Sequence, residues 1–393
     1  MEIKTKIFLL SHTMTIDGVA TSLLGLLKEL DYSAVDVDLM LMSPAGPLMS
    51  EIPLEVNLLP TPNAVAYYWN RRPKNLLPSR LANCIYYVSL YAAGLWYKIF
   101  RRMKIDNYGR GLLSAFLWDF FLPKRITEGQ YDLALFFSCQ PVMVGRVKAK
   151  KSAVWVHTDW GNFHPIKWLM NRFFPRADYI VNVSSAAKES FDRYLKPCYR
   201  NKSVVVENCL SSKWMLRKSE EGDVPSTLKT DCFKILSVGR ISAPKCFKRA
   251  AKAANILKQR GVNFKWVVVG DGELRKSIEN TDLILVGQQT NPYPYYKWCD
   301  LLVCTSDWEG KSVAVREAQV FAKSVVCTKF PTASSQIADG VDGLLVDRTP
   351  EAVAEGVMRV VEDGHLRREL SENCSKRDYA NLDGIDKILS WVK

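Results

Sequence analysis

Residues 301–318 read Leu301-Leu302-Val303-Cys304-Thr305-Ser306-Asp307-Trp308-Glu309-Gly310-Lys311-Ser312-Val313-Ala314-Val315-Arg316-Glu317-Ala318. The apolar start suits a strand buried on both faces. A polar loop with Gly310 follows, and residues 313–321 fit a helix. Strand, loop and helix in that order form the repeating unit of a parallel sheet covered by helices. The backbone amides of Lys311, Ser312 and Val313 fall at the helix start, where orphan N–H groups make a natural anion site. Glu309 and Glu317 are eight residues apart, roughly 12 Å along the axis if the span is mostly helical. Alone, such a pair is matched as well by one carboxylate in a surface turn and another on a solvated helix face.

The same alternation extends in both directions. Upstream strands are expected at residues 7–10, 35–42, 131–137, 153–156, 179–183 and 203–206, with a helix over 20–30. Residues 219–230 are polar, contain Gly222 and Pro225, and break the pattern, so a linker is placed there. Beyond it, strands are expected at 233–238, 264–269, 283–286, 301–305 and 324–328, with helices over 247–260 and 313–321. Two α/β halves joined by a linker fit a chain of 393 residues, too long for one ordinary core. Ligands of such folds bind at the carboxyl ends of the strands.

The formal net charge is +13. Residues 71–125 hold eleven Lys or Arg against two acids, which points to an anionic partner such as a membrane surface. Residues 81–97 are uncharged and Tyr-rich, and Lys98, Arg101, Arg102 and Lys104 follow. That run is short for a spanning helix and suits one lying on the protein or at a membrane interface. Nucleic acid is disfavoured because no recognition module accompanies the charge. The ten cysteines lack zinc-like spacing and several lie in apolar runs, as expected of reduced thiols. With no signal-peptide pattern at the N-terminus, a cytoplasmic protein is expected.

Further motifs surround the opening segment in a fixed order. Ser237-Val238-Gly239-Arg240-Ile241 is followed by Lys245. Val267-Val268-Val269-Gly270-Asp271-Gly272-Glu273-Leu274 places a turn after a strand. Gly287 and Gln288, then Asn291-Pro292-Tyr293 and Asp300, lead into the segment, and Gly340 and Gly343 with Leu344-Leu345-Val346 close it. This ordered set, over residues 235–346, resembles the family 4 retaining glycosyltransferases (glycosyl transferases group 1), including those of bacterial surface-polysaccharide synthesis.

The resemblance implies a GT-B fold, two Rossmann-like domains facing across a cleft. It places an acceptor-side domain at 1–218, a linker at 219–230, a nucleotide-sugar domain at 231–376 and a returning C-terminal helix at 377–393. It implies Arg240 and Lys245 on the donor diphosphate, Glu309 on hydroxyls of the transferred sugar and Glu317 on the ribose. Gly239, Gln288, Gly310, Lys311, Ser312 and Val313 complete the donor contacts. His157, at the end of a strand reading Trp155-Val156-His157-Thr158-Asp159, corresponds to a family histidine near the reacting sugar. Gly18 stands where the family often has a Gly-Gly loop; here the residues are Asp17-Gly18. Transfer with retention and without a metal ion or cofactor is implied, the nucleotide sugar being a co-substrate.

Two other signals are set aside. Asp36-Val37-Asp38 has a metal-binding form but sits in an alternating strand without support. Gly270-Asp271-Gly272 lacks the third glycine of a dinucleotide fingerprint. The expected acceptor is lipid-linked or another glycan, with peripheral membrane contact through residues 67–125 at the inner face. A GT-B-type epimerase and a non-catalytic sugar-nucleotide-binding protein remain alternatives; a product formed from donor alone separates the epimerase from the transferase.

Overall fold

The computed structural model describes residues 4–70, 116, 119, 122–160 and 167–393. The apolar runs form thirteen strands among the described residues, in two all-parallel sheets. The first sheet has the order β3-β2-β1-β4-β5-β6-β7. Its strands are β1 (Thr5–Ser11), β2 (Val35–Leu41), β3 (Asn57–Leu59), β4 (Gln130–Phe136), β5 (Lys148–Val156), β6 (Tyr179–Asn182) and β7 (Ser203–Val205). The second has the order β10-β9-β8-β11-β12-β13. It comprises β8 (Phe233–Val238), β9 (Phe264–Val269), β10 (Leu283–Gly287), β11 (Leu301–Cys304), β12 (Ser324–Thr328) and β13 (Leu344–Val346). In both, the order reverses beside the first strand, at β1/β4 and β8/β11, and that switch point is where doubly wound sheets leave room for ligands.

Each sheet has its own core. Phe8, Leu10, Phe136, Val154, Ile180 and Trp160 pack in the first. Ile235, Trp266, Val268, Leu301, Val326, Ala250 and Val357 pack in the second. Strand residues are buried in runs, as in β12, where all five are buried, because helices cover both sides. Inside the second sheet Ser237 Oγ donates to the Val303 carbonyl at 2.6 Å and accepts from the Trp266 indole at 3.0 Å, so neither buried polar group is orphaned.

By contacts the chain divides into two compact units. One comprises Met1–Thr15, Leu30–Glu207 and Asp386–Lys393, the other Ile16–Glu29 and Asn208–Ile385. In the first, Trp391 stacks on Tyr179 with ring centroids 4.2 Å apart and Lys387 Nζ donates to the Val205 carbonyl at 2.9 Å. In the second, the helix Ser212–Glu220, whose start Ser211 caps by accepting from the Trp214 amide, runs into the segment read as linker. Gly25 on the helix Gly18–Glu29 explains why that helix groups with Asn208–Ile385: a Cβ there would sit 2.2 Å from the Cys209 carbonyl oxygen.

The two set-aside motifs have structural accounts. Asp38 accepts from Asn57 Nδ2 and from the Tyr131 hydroxyl, both at 2.7 Å, and Asp36 pairs with Lys4 at 3.3 Å, so both carboxylates serve the sheet. Gly270 and Gly272 let the loop after β9 lie on the loop after β8. A Cβ at Gly270 would be 1.9 Å from the Gly239 carbonyl oxygen, and one at Gly272 would be 2.4 Å from that of Ile241. No described helix is long and apolar enough to cross a membrane. The interfacial segment expected at residues 81–97, with Arg101, Arg102 and Lys104, lies outside the described residues.

Gly270 also has a φ of +150°, which side-chain-bearing residues rarely adopt. Gly270→Ala is therefore expected to lower stability by on the order of 3 kcal/mol or more, read as the midpoint of urea unfolding. An unchanged midpoint would show that the two loops can part at little cost.

Candidate functional site

The carboxyl end of β8 leads into Gly239, whose φ of +149° turns the chain sharply. A short turn, Ala243–Lys245, then ends at Cys246, held in the left-handed region at φ +49°. Lys245 is thereby pressed against the backbone of Gly239, its Cε 3.2 Å from where a Cβ would stand. Glycine is favoured there because of that φ, and a Cβ would also crowd the lysine stem.

The loop after β11 closes on the same turn through backbone groups. Thr305 Oγ1 donates to the Lys245 carbonyl at 3.0 Å, and the Asp307 amide donates to the Pro244 carbonyl at 2.8 Å. Arg249, nearly buried, donates to the Thr305 carbonyl at 2.6 Å and to Asp307 Oδ1 at 2.7 Å. These contacts fix Glu309. Its Oε1 accepts from Ser306 Oγ at 2.7 Å and pairs with Lys245 Nζ at 2.5 Å. Burial is the largest influence on Lys245 and works against its charged form, but the charge and hydrogen bond of Glu309, together with Cys304 and Cys327, outweigh it, and its pKa lies above the ordinary value. Cys304, at the end of β11, faces Cys327 in register on β12. The hydrogen bond between the thiols draws Cys304 down to about 6 against the effect of burial.

Arg240 holds a different carboxylate. It is exposed and pairs with Glu273, Nη2 at 3.2 Å and Nε at 3.3 Å. The two cations expected as a clamp thus start from separate anchors, one on the turn after β9 and one on the turn after β11.

The helix expected after the loop is Val313–Val320. Only from Val313 is the segment helical, so helical rise does not set the separation of Glu309 and Glu317. The three amides expected at the helix start are not equivalent. The Ser312 amide donates to Gln336 Oε1 at 3.0 Å, while Gln336 Nε2 returns a bond to the Ser312 carbonyl at 2.6 Å. A side chain from the turn after β12 therefore takes the Ser312 amide that was expected to meet an anion. Gly310 is buried and Lys311 half-buried in the turn before the helix. Gly18 packs on Val313, with Val313 Cγ2 3.1 Å from a Cβ position. Gln288 Nε2 reaches the Ile16 carbonyl at 3.4 Å, so the loop around Gly18 meets two of the expected donor residues. Asp17 caps the helix Gly18–Glu29, its Oδ1 accepting from the Val19 and Ala20 amides at 2.9 Å.

Glu317 is buried, and two tyrosines hold it: Tyr293, which the sequence reading quoted only as part of a motif, and Tyr296, which it did not name. Tyr296 donates to Oε2 at 2.6 Å and Tyr293 to Oε1 at 3.3 Å. Both rings stack on Phe321. The signal was present in residues 293–298, where tyrosines three apart precede a buried strand; the one-turn spacing places both on one helix face. Burial raises Glu317 to about 7, with the tyrosine hydroxyls opposing the shift.

His157 lies in the other unit, directly after β5. Its Nε2 lies 2.6 Å from the Phe137 carbonyl, which only accepts, so Nε2 carries the proton.

Comparison with known proteins agrees with this architecture. Residues 219–377 match the family model described as Glycosyl transferases group 1, and the two parallel sheets with this strand order are the two Rossmann-like domains of the GT-B fold. The chain is 28% identical over 160 residues to the capsular polysaccharide biosynthesis glycosyltransferase CapM of Staphylococcus aureus, which covers 38% of this chain and 42% of that protein. It is 27% identical over 241 residues to the N-acetylgalactosamine-N,N'-diacetylbacillosaminyl-diphospho-undecaprenol 4-alpha-N-acetylgalactosaminyltransferase of Campylobacter jejuni, covering 58% of this chain and 62% of that one. Under two thirds of each relative is therefore matched. The crystal structure of Anabaena HepE in complex with UDP-glucose superposes with a TM-score of 0.66 at 16% identity, over 98% of this chain and 99% of that one, a likeness of fold.

The raised Glu317 makes stability depend on pH. Its ordinary value near 4.5 applies to the unfolded chain, whereas the folded group titrates near 7. Between these values the folded chain holds the extra proton, so this contribution to stability falls as pH rises and levels off above about 7. Glu317→Gln cannot titrate. The stability difference between wild type and variant should change across that window by up to about 3 kcal/mol in urea titrations. A difference independent of pH would show that the carboxyl is not desolvated as described.

Proposed function

We propose that this chain is a glycosyltransferase that moves a sugar from a nucleoside diphosphate sugar to a lipid-linked or glycan acceptor, in bacterial surface-polysaccharide synthesis. The observation that carries the reading is the Lys245–Glu309 pair, 2.5 Å apart between the turns that follow β8 and β11. An ammonium held there by a single carboxylate can exchange that partner for a diphosphate. As the bond from the sugar's anomeric carbon to the diphosphate oxygen breaks, negative charge grows on the leaving group, and a fixed cation stabilises it more than it stabilises the bound donor. Arg240 joins from its anchor on Glu273, gripping two oxygens where Lys245 acts as a point charge.

Once released from Lys245, Glu309 accepts hydrogen bonds from hydroxyls of the transferred sugar. Glu317 takes the ribose after exchanging a tyrosine hydroxyl for a ribose one. Gly239, Gln288, Gly310, Lys311, Ser312, Val313 and Gly18 line the donor, with Ser312 contributing its hydroxyl because its amide is engaged by Gln336. His157 serves the reacting sugar from the first domain. The reaction retains configuration and uses no metal ion or cofactor, with positioning and leaving-group stabilisation supplying the rate.

The acceptor reading draws on the relatives. The Campylobacter enzyme's name specifies a diphospho-undecaprenol acceptor, and a lipid-linked acceptor fits the basic stretch at 67–125 and a location at the cytoplasmic membrane face.

A thermal-shift panel of sugar nucleotides, beginning with UDP-glucose, should show stabilisation by at least one donor. Lys245→Ala should lower turnover with that donor by on the order of a hundredfold or more, since a preorganised group facing the leaving charge is lost. A chelator should leave turnover unchanged. No stabilisation by any donor, or a Lys245→Ala variant as active as wild type, would falsify the reading; an epimerised sugar formed from donor alone would replace it with the epimerase.

A further inference from the structure

The stretch of chain that carries Glu309, Ser312 and Glu317 runs between two cysteines. Cys304 closes β11 and Cys327 lies in β12, paired in register as parallel neighbours. In-register residues of adjacent strands point to one face of the sheet, and the strands run roughly 4.8 Å apart. That spacing falls inside the range of Cα separations a disulfide spans. The two thiols differ in access: Cys304 is half-buried at its strand end, and Cys327 is buried. A reachable thiol backed by a second one is the arrangement of an attacking and a resolving cysteine.

The surroundings separate this pair from cysteines that merely pack. Burial pushes Cys209 and Cys299 up to about 12, as expected of inert interior thiols. At Cys304 the Cys327 thiol, with help from the Lys245 ammonium and Ser306, outweighs both burial and the Glu309 carboxylate, so the thiolate is favoured. The thiolate is the nucleophilic form. Cys327, pushed well above its ordinary value by burial and by Cys304 beside it, keeps its proton.

The pair also stands at the base of the site. Cys304 Sγ lies 3.5 Å from Ser306 Oγ, and that hydroxyl donates at 2.7 Å to Glu309 Oε1, which pairs with Lys245 Nζ at 2.5 Å. The Ser306 carbonyl accepts from Thr328 Oγ1 at 2.6 Å, one residue beyond Cys327. A shift of Cys304 toward Cys327 therefore acts on the residue that steadies Glu309.

We propose that Cys304 and Cys327 are a site of reversible oxidation, closed to a disulfide by a hydroperoxide and reopened by a dithiol, and that closing it loosens the loop carrying Glu309. The consequence for donor binding rests on the transferase reading; the bond itself does not. The Cys304 thiolate attacks the terminal oxygen of R–O–O–H, and the O–O bond breaks. The departing RO⁻ takes up the proton that Cys304 released, and Cys304 is left as a sulfenic acid. The Cys327 sulfur then displaces the sulfenic hydroxyl, which leaves as water with the Cys327 proton. Two thiols are thereby oxidised while one peroxide is reduced to an alcohol and water. The new bond draws the sulfurs to about 2.05 Å, and the Cys304 sulfur no longer has a proton or a charge to offer Ser306. In a reducing compartment such bonds are transient, as a sensor requires.

The full chain is treated with hydrogen peroxide, alkylated and digested with trypsin. Lys311, Arg316 and Lys323 lie between the two cysteines, so their peptides separate unless a disulfide joins them. A joined peptide should form with peroxide and vanish with dithiothreitol, while the exposed Cys198 is alkylated as before. Amide exchange over residues 305–311 should quicken severalfold on oxidation and recover on reduction. Cys327→Ala should abolish both responses, and Cys304→Ser serves the same purpose if that variant does not fold. Oxidation of Cys198 ahead of the pair would overturn the proposal. So would an oxidised Cys304 without the joined peptide, or unchanged exchange in the joined form. The UDP-glucose thermal shift is read on both forms. A smaller shift in the oxidised chain supports the proposal, and an equal shift in both overturns its link to donor binding. No shift in either form overturns the transferase reading, with the redox pair then decided by the joined peptide and the exchange.

Discussion

An ammonium and a carboxylate largely withdrawn from water are stable together only if something holds them in register, because desolvation of either alone is costly. In this chain Lys245 and Glu309 belong to turns after two adjacent parallel strands, and the backbone bonds from Thr305 and Asp307 to the Lys245 turn hold those turns together. Arg249 adds a second set of charged hydrogen bonds from the next helix. The loop after β11 and the glutamate it carries are therefore positioned by groups far away in the chain. A ligand that replaces Glu309 as the partner of Lys245 enters a site whose walls are already built.

That arrangement depends on the absence of side chains at a few points. The turn after β8 can lie under the turn after β9 only because Gly270 and Gly272 bring no Cβ to the Gly239 and Ile241 carbonyls. Gly239 in turn leaves room for the stem of Lys245. A glycine pattern that began like a dinucleotide fingerprint thus serves a different end: it packs two loops so that a cation and a second anchor, Glu273 holding Arg240, follow neighbouring strands.

Polar groups beside the site are mostly held by partners within the chain. Glu317 is held by Tyr293 and Tyr296, the Ser312 amide by Gln336, and Lys245 by Glu309. Buried polar groups without partners are expensive, so a site that must accept a polar ligand is stable beforehand only if its groups have internal partners to exchange. Under the proposed function, binding of a donor is an exchange of hydrogen bonds rather than a net gain, and affinity depends on which partners yield.

Much of the fold was legible in the sequence, because strands covered by helices on both faces must be continuous apolar runs, as in residues 133–136, 153–156 and 324–328. The three-residue edge strand Asn57–Leu59 was not, since it is too short to show a pattern. The order Gly239, Arg240, Lys245, Gly270, Glu309, Glu317 also stood in the sequence, because these residues follow the ends of three successive motif strands, β8, β9 and β11. Partnerships did not. That Arg240 rests on Glu273 while Lys245 rests on Glu309, that Gln336 takes the Ser312 amide, and that Tyr293 and Tyr296 hold a Glu317 whose pKa burial raises are consequences of which strand ends adjoin. The sequence by itself determined the alternating strands and helices, the second-domain motif and the residue types available for chemistry. Only the tertiary structure decided which of those groups touch, because a hydrogen bond or ion pair is set by separations of a few ångströms between residues tens of positions apart, and it is those contacts that fix burial and charge.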